Sequence, residues 1–495
     1  MSHIRQHLSD GSAYGKLMIF VGLLFFVPLL VIVFFPDEIM YAPAFLLPAV
    51  SSVVLGYLVC YLTHQNQERT YEYQSIVQRG SLPVLFVWLY GFLLGMVSFL
   101  FTGQLTPVQA LFESVSAWSS TGFTLCNPST LPHVFAFLRS YLQFIGGVGF
   151  ILVFSAFVRN RQTMSLYSAE GHSESVLPSL AKFARMIFLI YITLVLVGSL
   201  LLWLSGMELL NALCYTMSAV STGGMSPHTG NVAQYDNLTI EIVLVILMFI
   251  GASNVATLMV LTEGKLKKVV RSTEMKFMLG MLGVFIPLVA LSLFFGTSSS
   301  LFESIRQAVF GVVSIYSTTG FSTASYYEWP PFAVGLIMLL MIMGGSSGST
   351  SGGIKLIRTY FILRITRDSV IRQSTSAIRT EAPTFNTVRE KVPIDRALIA
   401  STFAFVACYV GLLIIGTLLI TVTADYTLFE AMFEFTSAVG TIGISNGLTS
   451  TSTNAPTLII EMIGMILGRL EIFMVFYAIS SFVKRINWAV RNRRH

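Results

Sequence analysis

A nine-residue motif occurs four times in this chain, and the four copies constrain its fold more than any other feature of the sequence. They read SAWSSTGFT (116–124), SAVSTGGMS (218–226), SIYSTTGFS (314–322) and SAVGTIGIS (437–445). Each copy lies in a short polar gap between long apolar runs, and successive glycines (Gly122, Gly224, Gly320 and Gly443) follow at intervals of about 100 residues. Regular repetition predicts one structural unit used four times.

The apolar runs predict an all-α polytopic membrane protein. Of the 495 residues, 54% are hydrophobic and 11% are charged, whereas soluble proteins carry roughly 25% charged residues. A membrane span needs about 20 apolar residues. Ten segments meet that length, and the first is too long for a secretory signal. They are 17–36, 43–63, 82–102, 134–158, 183–205, 238–262, 274–296, 331–363, 395–421 and 456–483.

The distribution of positive charge predicts the orientation. With ten spans, 27 of the 30 Lys and Arg residues fall on the same side as both termini. Segments facing the other side hold one, Arg306. Basic residues mark the cytoplasmic side, so we expect both termini in the cytoplasm. Contact with anionic lipid headgroups accounts for the net charge of +6, and no nucleic-acid partner is required.

Before each motif stands an amphipathic segment of about 13 residues, which is too short to span a membrane and predicts a re-entrant helix. These segments are 106–118, 207–219, 300–313 and 426–438. Non-helical backbone at membrane depth needs protein or a water-filled cavity around it. The polar backbone groups of the four loops are therefore best satisfied if the loops form a ring. The predicted division is 1–80 (two-helix accessory element and linker), 81–165, 166–270, 271–375 and 376–495 (pore repeats one to four).

A ring of such loops predicts a site for a monovalent cation. Backbone carbonyls can replace the water shell of the ion, and the hydroxyls two residues before each glycine add oxygen ligands. None of the motifs contains Lys or Arg. The predicted filter residues are Ser120, Thr121, Gly122, Thr222, Gly223, Gly224, Thr318, Thr319, Gly320, Thr441, Ile442 and Gly443.

The helix after each motif carries small residues about 25 positions beyond the motif glycine, beginning at Gly146, Gly251, Gly344 and Gly468. For the first two, we interpret these residues as sites of close helix packing. In the third repeat ten consecutive Gly, Ser or Thr residues predict a break in the helix and a flexible intramembrane gate. These are Gly344, Gly345, Ser346, Ser347, Gly348, Ser349, Thr350, Ser351, Gly352 and Gly353. A phosphate-binding loop is disfavoured because no GK[ST] ending is present.

Arg469 lies in the last apolar run, where a guanidinium costs about 2.5–3.5 kcal/mol. It forms a salt bridge with Glu461 or another buried acid, or it is a positive barrier in a cation path; the sequence leaves both open. The basic segment 364–393 is either a docking site for a regulatory partner or a solvated linker near lipid.

Together with the motifs, GGSSGSTSGGIK (344–355) and GRLEIF (468–473) resemble the Trk/Ktr/HKT potassium transporters. The two extra N-terminal spans resemble the bacterial TrkH-type membrane subunit most. The resemblance implies potassium uptake at a bacterial inner membrane through a fourfold pseudosymmetric pore of potassium-channel-like units. It also implies K⁺ as the bound and transported ion with no catalytic cofactor, a homodimer, and a cytoplasmic nucleotide-binding regulatory subunit. The position matched by Gly344–Gly353 is the gate in that family, and the position matched by Arg469 faces the same pathway.

The chain departs from the family pattern at Met225, where an aromatic residue is usual, and at Gly440 in the fourth motif. Selectivity for potassium over sodium is therefore less firmly predicted than cation conduction. The alternative function is a secondary transporter for sodium, or for sodium and potassium, although such proteins usually show two repeats. An enzyme is disfavoured because no acid–base pair or metal spacing is evident.

Overall fold

The computed structural model describes residues 12–63, 76–149, 180–374 and 383–492, and about 74% of it is helical. The α-helices, numbered in chain order, are α1 (Ala13–Leu24), α2 (Leu29–Phe34), α3 (Pro43–Thr63), α4 (Ile76–Leu100), α5 (Pro107–Trp118), α6 (His133–Val148), α7 (Leu180–Leu204), α8 (Leu209–Val220), α9 (Leu238–Gly251), α10 (Val255–Thr262), α11 (Leu266–Arg271), α12 (Thr273–Gly296), α13 (Leu301–Tyr316), α14 (Pro331–Met343), α15 (Leu356–Ser374), α16 (Arg396–Thr423), α17 (Leu428–Val439), α18 (Ala455–Arg469) and α19 (Ile472–Asn492). Short 3₁₀ turns cover Pro36–Tyr41, Pro128–Thr130, Asn231–Tyr235 and Tyr326–Glu328. The predicted all-helical polytopic fold is confirmed.

The basic segment 364–393 also contains one β-hairpin, which the sequence did not predict. Strand β1 (Thr384–Asn386) pairs antiparallel with β2 (Lys391–Pro393), and Phe385 lies opposite Val392. The hairpin is tied to the start of α12, since the backbone N–H of Asn386 donates to Thr273 Oγ1 at 2.9 Å. Between α15 and the hairpin, residues 375–382 lie outside the described part of the chain.

Within the described residues, six helical segments are long and apolar enough to cross a membrane, or seven if a bent pair counts as one. Ten spans were predicted, one of them with a break at Gly344–Gly353, and the difference lies in the helix after each motif. In repeats two, three and four that helix is interrupted part-way, after Gly251, Met343 and Arg469. In repeat one, α6 ends at Val148, and residues 150–179 lie outside the described part of the chain.

The predicted break at Gly344–Gly353 is confirmed, and the second small-residue cluster, for which only close packing was expected, also breaks its helix. Helices α9 and α10 meet at a bend of 108°. Gly149, at the end of α6, has φ 91°. Glu471, between α18 and α19, has φ 56°. Glycines of the small-residue clusters also pack closely. A Cβ on Gly146 would overlap the carbonyl of Trp118, and a Cβ on Gly468 would overlap the carbonyl of Val439. The part of span 134–158 beyond residue 149 lies outside the described residues.

The N-terminal helices form a hairpin that lies beside the first repeat. Helix α1 packs along α3, where Gly15 is in contact with Gly56 and Cys60, and Gly22 is in contact with Ser52. Both helices also pack against α4. The N-terminal hairpin is therefore packed against the first helix of repeat one, and its role as an accessory element stays a prediction.

The predicted re-entrant segments form the short helices α5, α8, α13 and α17, and polar side chains define where they begin. Two begin with a capping box, in which Thr106 pairs with Gln109 and Thr427 pairs with Glu430. Ser300 accepts the N–H of Glu303 at the start of α13. Such caps satisfy backbone donors that the first turn leaves free. Each short helix ends directly before its motif loop, so that the four C-termini point to the place where the loops meet.

The repeat boundaries stay predictions. Those drawn at residues 165 and 375 fall in segments 150–179 and 375–382, which the structure does not describe. Within the described parts, a long helix, a short helix, a motif loop and a further helix follow one another in each of the four repeats, and the further helix is broken in repeats two, three and four.

Candidate cation site where the four repeats meet

All four motif loops adopt the same unusual backbone. The glycine and the residue two positions before it have positive φ in every copy. These are Ser120 (50°) and Gly122 (105°), Thr222 (54°) and Gly224 (78°), Thr318 (58°) and Gly320 (80°), and Thr441 (51°) and Gly443 (78°). A non-glycine residue in this region costs roughly 1–2 kcal/mol, so the surrounding structure holds the conformation in place. Left-handed residues at alternate positions allow consecutive carbonyls to face the same side.

The loops contact one another in chain order, and the contacts close into a ring. A Cβ added to each motif glycine would collide with a carbonyl oxygen of the next repeat. The pairs are Gly122 with Gly223, Gly224 with Thr319, Gly320 with Ile442, and Gly443 with Thr121. The fourth loop therefore reaches the first, and the structure brings all four predicted motifs together around one axis.

The hydroxyls two residues before each glycine lie at one end of this ring, and three of the four contact the Gly344–Gly353 loop. Thr222 Oγ1 donates to Ser221 O at 2.8 Å and lies 3.0 Å from Thr350 Oγ1. Thr318 Oγ1 accepts the N–H of Gly352 at 3.0 Å. A Cβ on Gly352 would overlap Thr441 Oγ1.

The fourth hydroxyl has a different environment. Ser120 is 1% exposed, and its Oγ has no hydrogen-bond partner among the described residues. A buried hydroxyl without a partner is uncommon in native proteins. An ion or water in the ring would supply the missing contact.

The electrostatics of the ring favour a cation. Each short helix ends beside it, and a helix C-terminus carries a partial negative charge. The ring also presents backbone carbonyls and hydroxyls, which are the oxygen ligands that alkali cations accept. Within the described residues, no group of three or more His, Cys, Asp or Glu forms a metal site.

The predicted gate residues, Gly344–Gly353, form a compact loop between α14 and α15. Three of its glycines have positive φ: Gly344 (65°), Gly348 (66°) and Gly353 (76°). The loop is anchored to the break in the second repeat. Ser346 N donates to Ala252 O at 3.0 Å, and Thr350 Oγ1 donates to Gly251 O at 3.0 Å.

On the predicted cytoplasmic side of the loop, a carboxylate of α12 holds it. Ser347 N donates to Glu274 Oε1 at 2.5 Å, and Asn254 Nδ2 donates to Glu274 Oε2 at 3.3 Å. These residues line a cavity of about 180 Å³ that extends to Phe385 of the β-hairpin. The loop is thus connected to the surface through Glu274.

Arg469 joins three repeats beneath the ring. From the fourth repeat, its Nη1 donates to Thr350 O at 2.7 Å in the third, and its Nη2 donates to the carbonyls of Gly147 (2.7 Å) and Gly146 in the first. A salt bridge with Glu461, one of the two interpretations that the sequence left open, is not formed. Glu461 lies eight residues earlier on α18, about 12 Å along the helix axis, and its carboxyl contacts Thr449.

A family model for TrkH, a cation transport protein, matches residues 95–484. The chain belongs to this family. An uncharacterized cation transporter of Methanocaldococcus jannaschii is 29% identical over 468 residues, covering 93% of each chain. The Trk system potassium uptake protein TrkH of Escherichia coli K12 is 29% identical over 410 residues, covering 80% of this chain and 84% of that protein.

The crystal structure of the potassium transporter TrkH from Vibrio parahaemolyticus has the same fold. It matches with a TM-score of 0.79 and 23% identity, and the match covers 94% of this chain and 98% of that one. The predicted resemblance to the Trk/Ktr/HKT transporters, and to the TrkH type within them, is confirmed. The chain is a multi-pass membrane protein of a cation transporter family.

Buried charges support two of the motif loops in this TrkH-family chain, and the sequence prediction missed them. In repeat one, Arg139 Nε donates to Glu113 Oε1 at 2.9 Å, and both side chains are buried. Glu113 also accepts the Leu125 N–H at 2.8 Å, directly after the motif. Its counterpart nine residues before the fourth motif glycine is Glu434, which accepts the Asn446 N–H at 2.9 Å. The common offset is the signal that could have found both.

Proposed function

We propose that this chain takes up potassium through a channel-like pore whose selective element is the ring of motif loops and whose gate is the Gly344–Gly353 loop. The closed cycle of contacts between motif glycines and carbonyls carries the proposal, because it places four carbonyl-bearing loops around one axis. The four supporting helix ends, and the Ser120 hydroxyl that has no hydrogen-bond partner among the described residues, fit a desolvated monovalent cation at that axis. The curated relative from Escherichia coli is a potassium uptake protein by name.

The gate assignment rests on the position of the glycine–serine loop directly below the ring hydroxyls. Thr350 and Gly352 contact Thr222 and Thr318 of the ring, and Arg469 fixes the Thr350 carbonyl from the opposite side. An ion leaving the ring along the axis meets this loop. Rearrangement of the loop therefore controls passage, and the three glycines with positive φ lower the barrier to rearrangement.

The remaining parts of the proposal concern partners and orientation. We place both termini in the cytoplasm, two copies of the chain in the transporter, and a nucleotide-binding regulatory subunit on the cytoplasmic face. The cavity between the β-hairpin and Ser347 gives such a partner a short route to the loop through Glu274. A regulator that moves the hairpin would release Ser347 and loosen the gate.

The test is uptake of labelled potassium and sodium by proteoliposomes that contain the purified chain. We expect potassium uptake to exceed sodium uptake, and we expect deletion of 346–351 to raise total uptake. Absence of potassium uptake in both the wild type and the deletion variant, under conditions where both are folded, would contradict the function. Uptake that depends on a proton or sodium gradient would instead support the secondary-transporter alternative.

A further inference from the structure

One side chain outside the motifs holds a carbonyl of the ring. Gln143, on α6, is fully buried. Its Nε2 donates to Gly223 O at 2.5 Å, and its Oε1 accepts the Met225 N–H at 3.1 Å and the Ser218 hydroxyl at 2.9 Å. A residue of the first repeat thus makes three hydrogen bonds to the motif loop of the second.

This arrangement occurs at one of the four repeat boundaries. Three residues before the glycine that begins each small-residue cluster (Gly146, Gly251, Gly344 and Gly468), the four repeats carry Gln143, Met248, Met341 and Met465. A thioether cannot donate a hydrogen bond. Within the described residues, the Gly223 carbonyl is the member of the ring that accepts a side-chain donor, whereas the carbonyls of Thr121, Thr319 and Ile442 have none.

The residue that bears this carbonyl also differs between the second motif and the other three. The position directly before the motif glycine is Thr121, Thr319 or Ile442 in three copies and Gly223 in the second. A Cβ on Gly223 would lie 2.5 Å from Gln143 Oε1 and 2.8 Å from Gln143 Nε2. The absence of a side chain at Gly223 therefore makes the room that the amide of Gln143 occupies.

The hydrogen bond has a chemical consequence for a bound cation. A short N–H···O bond restricts the motion of the carbonyl and engages part of its electron density. Selection among alkali cations depends on the field strength and flexibility of the surrounding carbonyls. A ring with one restrained carbonyl and three less restrained ones therefore has an asymmetric field.

We propose that Gln143 is a specificity-determining positioning residue that sets the potassium-to-sodium preference through the Gly223 carbonyl. The inference rests on the proposed function of the ring. Gln143 acts through the backbone of its neighbour, and the pair Gln143–Gly223 is one functional unit formed by two repeats.

The first experiment replaces Gln143 by the methionine that the other repeats use. We expect Gln143→Met to keep potassium uptake in proteoliposomes but to lower the potassium-to-sodium uptake ratio about fivefold, which corresponds to about 1 kcal/mol. Met341→Leu, at the matching position of the third repeat, is the control and should keep the ratio. Wild-type uptake together with an unchanged ratio in Gln143→Met overturns this inference alone, whereas a wild type that takes up no potassium overturns the proposed function.

A second pair of variants tests the unit even if Gln143→Met lowers the yield of folded protein. Gly223→Thr should abolish selective uptake, because its side chain collides with the amide of Gln143. The double variant Gly223→Thr with Gln143→Met carries the residue types found at the next boundary (Met248 and Thr319) and should recover potassium uptake. Wild-type behaviour of Gly223→Thr alone, or a double variant that is no better than Gly223→Thr, would overturn the inference.

Discussion

The carboxyl groups of Glu434 and Glu461 meet at one hydroxyl, that of Thr449. Thr449 Oγ1 lies 2.5 Å from Glu434 Oε1 and 3.2 Å from each oxygen of Glu461. The hydroxyl has a single hydrogen to donate, and two ionised carboxylates at one buried site repel each other. Glu461 lies seven residues before Gly468, and in the first repeat the residue seven positions before Gly146 is Arg139. The fourth repeat thus has an acid pair where the first has an ion pair.

This difference predicts that the same change, glutamate to glutamine, has unequal effects on stability in the two repeats. Glu461→Gln keeps an acceptor and gains a donor toward Thr449, so the free energy of unfolding should change by less than about 1 kcal/mol. Glu113→Gln leaves the buried guanidinium of Arg139 without its carboxylate and should lower stability by about 3–5 kcal/mol. Thermal unfolding of both variants in the same detergent checks the contrast. Equal destabilisation by the two changes would contradict it.

Alanine at any motif glycine should damage selectivity. Each of Gly122, Gly224, Gly320 and Gly443 has positive φ and no room for a Cβ, so alanine adds strain of roughly 1–2 kcal/mol and displaces a neighbouring carbonyl. We expect the potassium-to-sodium uptake ratio to fall about tenfold in each variant, equivalent to about 1.4 kcal/mol. Gly335→Ala is the control, because a Cβ there meets no atom within 4 Å. If all four motif variants match the Gly335 variant, the ring does not select.

Loss of Arg469 should open the pathway. Arg469→Ala removes the donors that hold the carbonyls of Thr350 and Gly147, and total cation uptake should rise. Arg469→Lys keeps the charge but cannot span both carbonyls, because an ammonium lacks the planar fork of a guanidinium. If uptake by Arg469→Lys is close to that of Arg469→Ala, Arg469 acts by holding the two carbonyls in place. If it is close to that of the wild type, Arg469 acts as a charge barrier. Unchanged uptake in Arg469→Ala would exclude both roles.

Glu274 should restrain the gate from the predicted cytoplasmic side. Glu274→Ala removes the acceptor of the Ser347 N–H, so the loop should open more often and basal uptake should increase. Glu274→Gln keeps an amide oxygen at this position and should remain closer to the wild type. Uptake measured for both variants without any added regulator provides the check, and equal uptake by the alanine variant and the wild type would argue against the restraint.

Much of this architecture could be predicted from the sequence because repetition carries the information. The motif loops, the short helices and the break at Gly344–Gly353 are local features of composition. The bend after Gly251 was missed because a few small residues in an apolar run also suit close packing, and in the structure the same segment both bends and packs closely against Val220. The breaks are stabilised by tertiary contacts with other repeats.

The hydrogen-bond partners of Arg469 could not be predicted from the sequence for a similar reason. They are backbone carbonyls of Gly146, Gly147 and Thr350, more than 100 residues away, and a carbonyl has no residue type for a sequence pattern to detect. Gln143 could have been noticed by aligning the four repeats on Gly146, Gly251, Gly344 and Gly468. It is polar, whereas the other three repeats have methionine at the equivalent position.

The contact between Gly443 and Thr121 has a consequence for biosynthesis. It closes the ring across more than 300 residues, and at 5–20 residues per second the ribosome needs about 15–65 s to reach the fourth loop after making the first. Until then the nascent protein contains three of the four loops, an open crescent in place of the closed ring. The two ends of this crescent face lipid or the translocation machinery. The last quarter of the polypeptide is therefore also the closing segment of the assembly, and a chain that ends before Gly443 would leave the polar lining of the crescent exposed inside the bilayer.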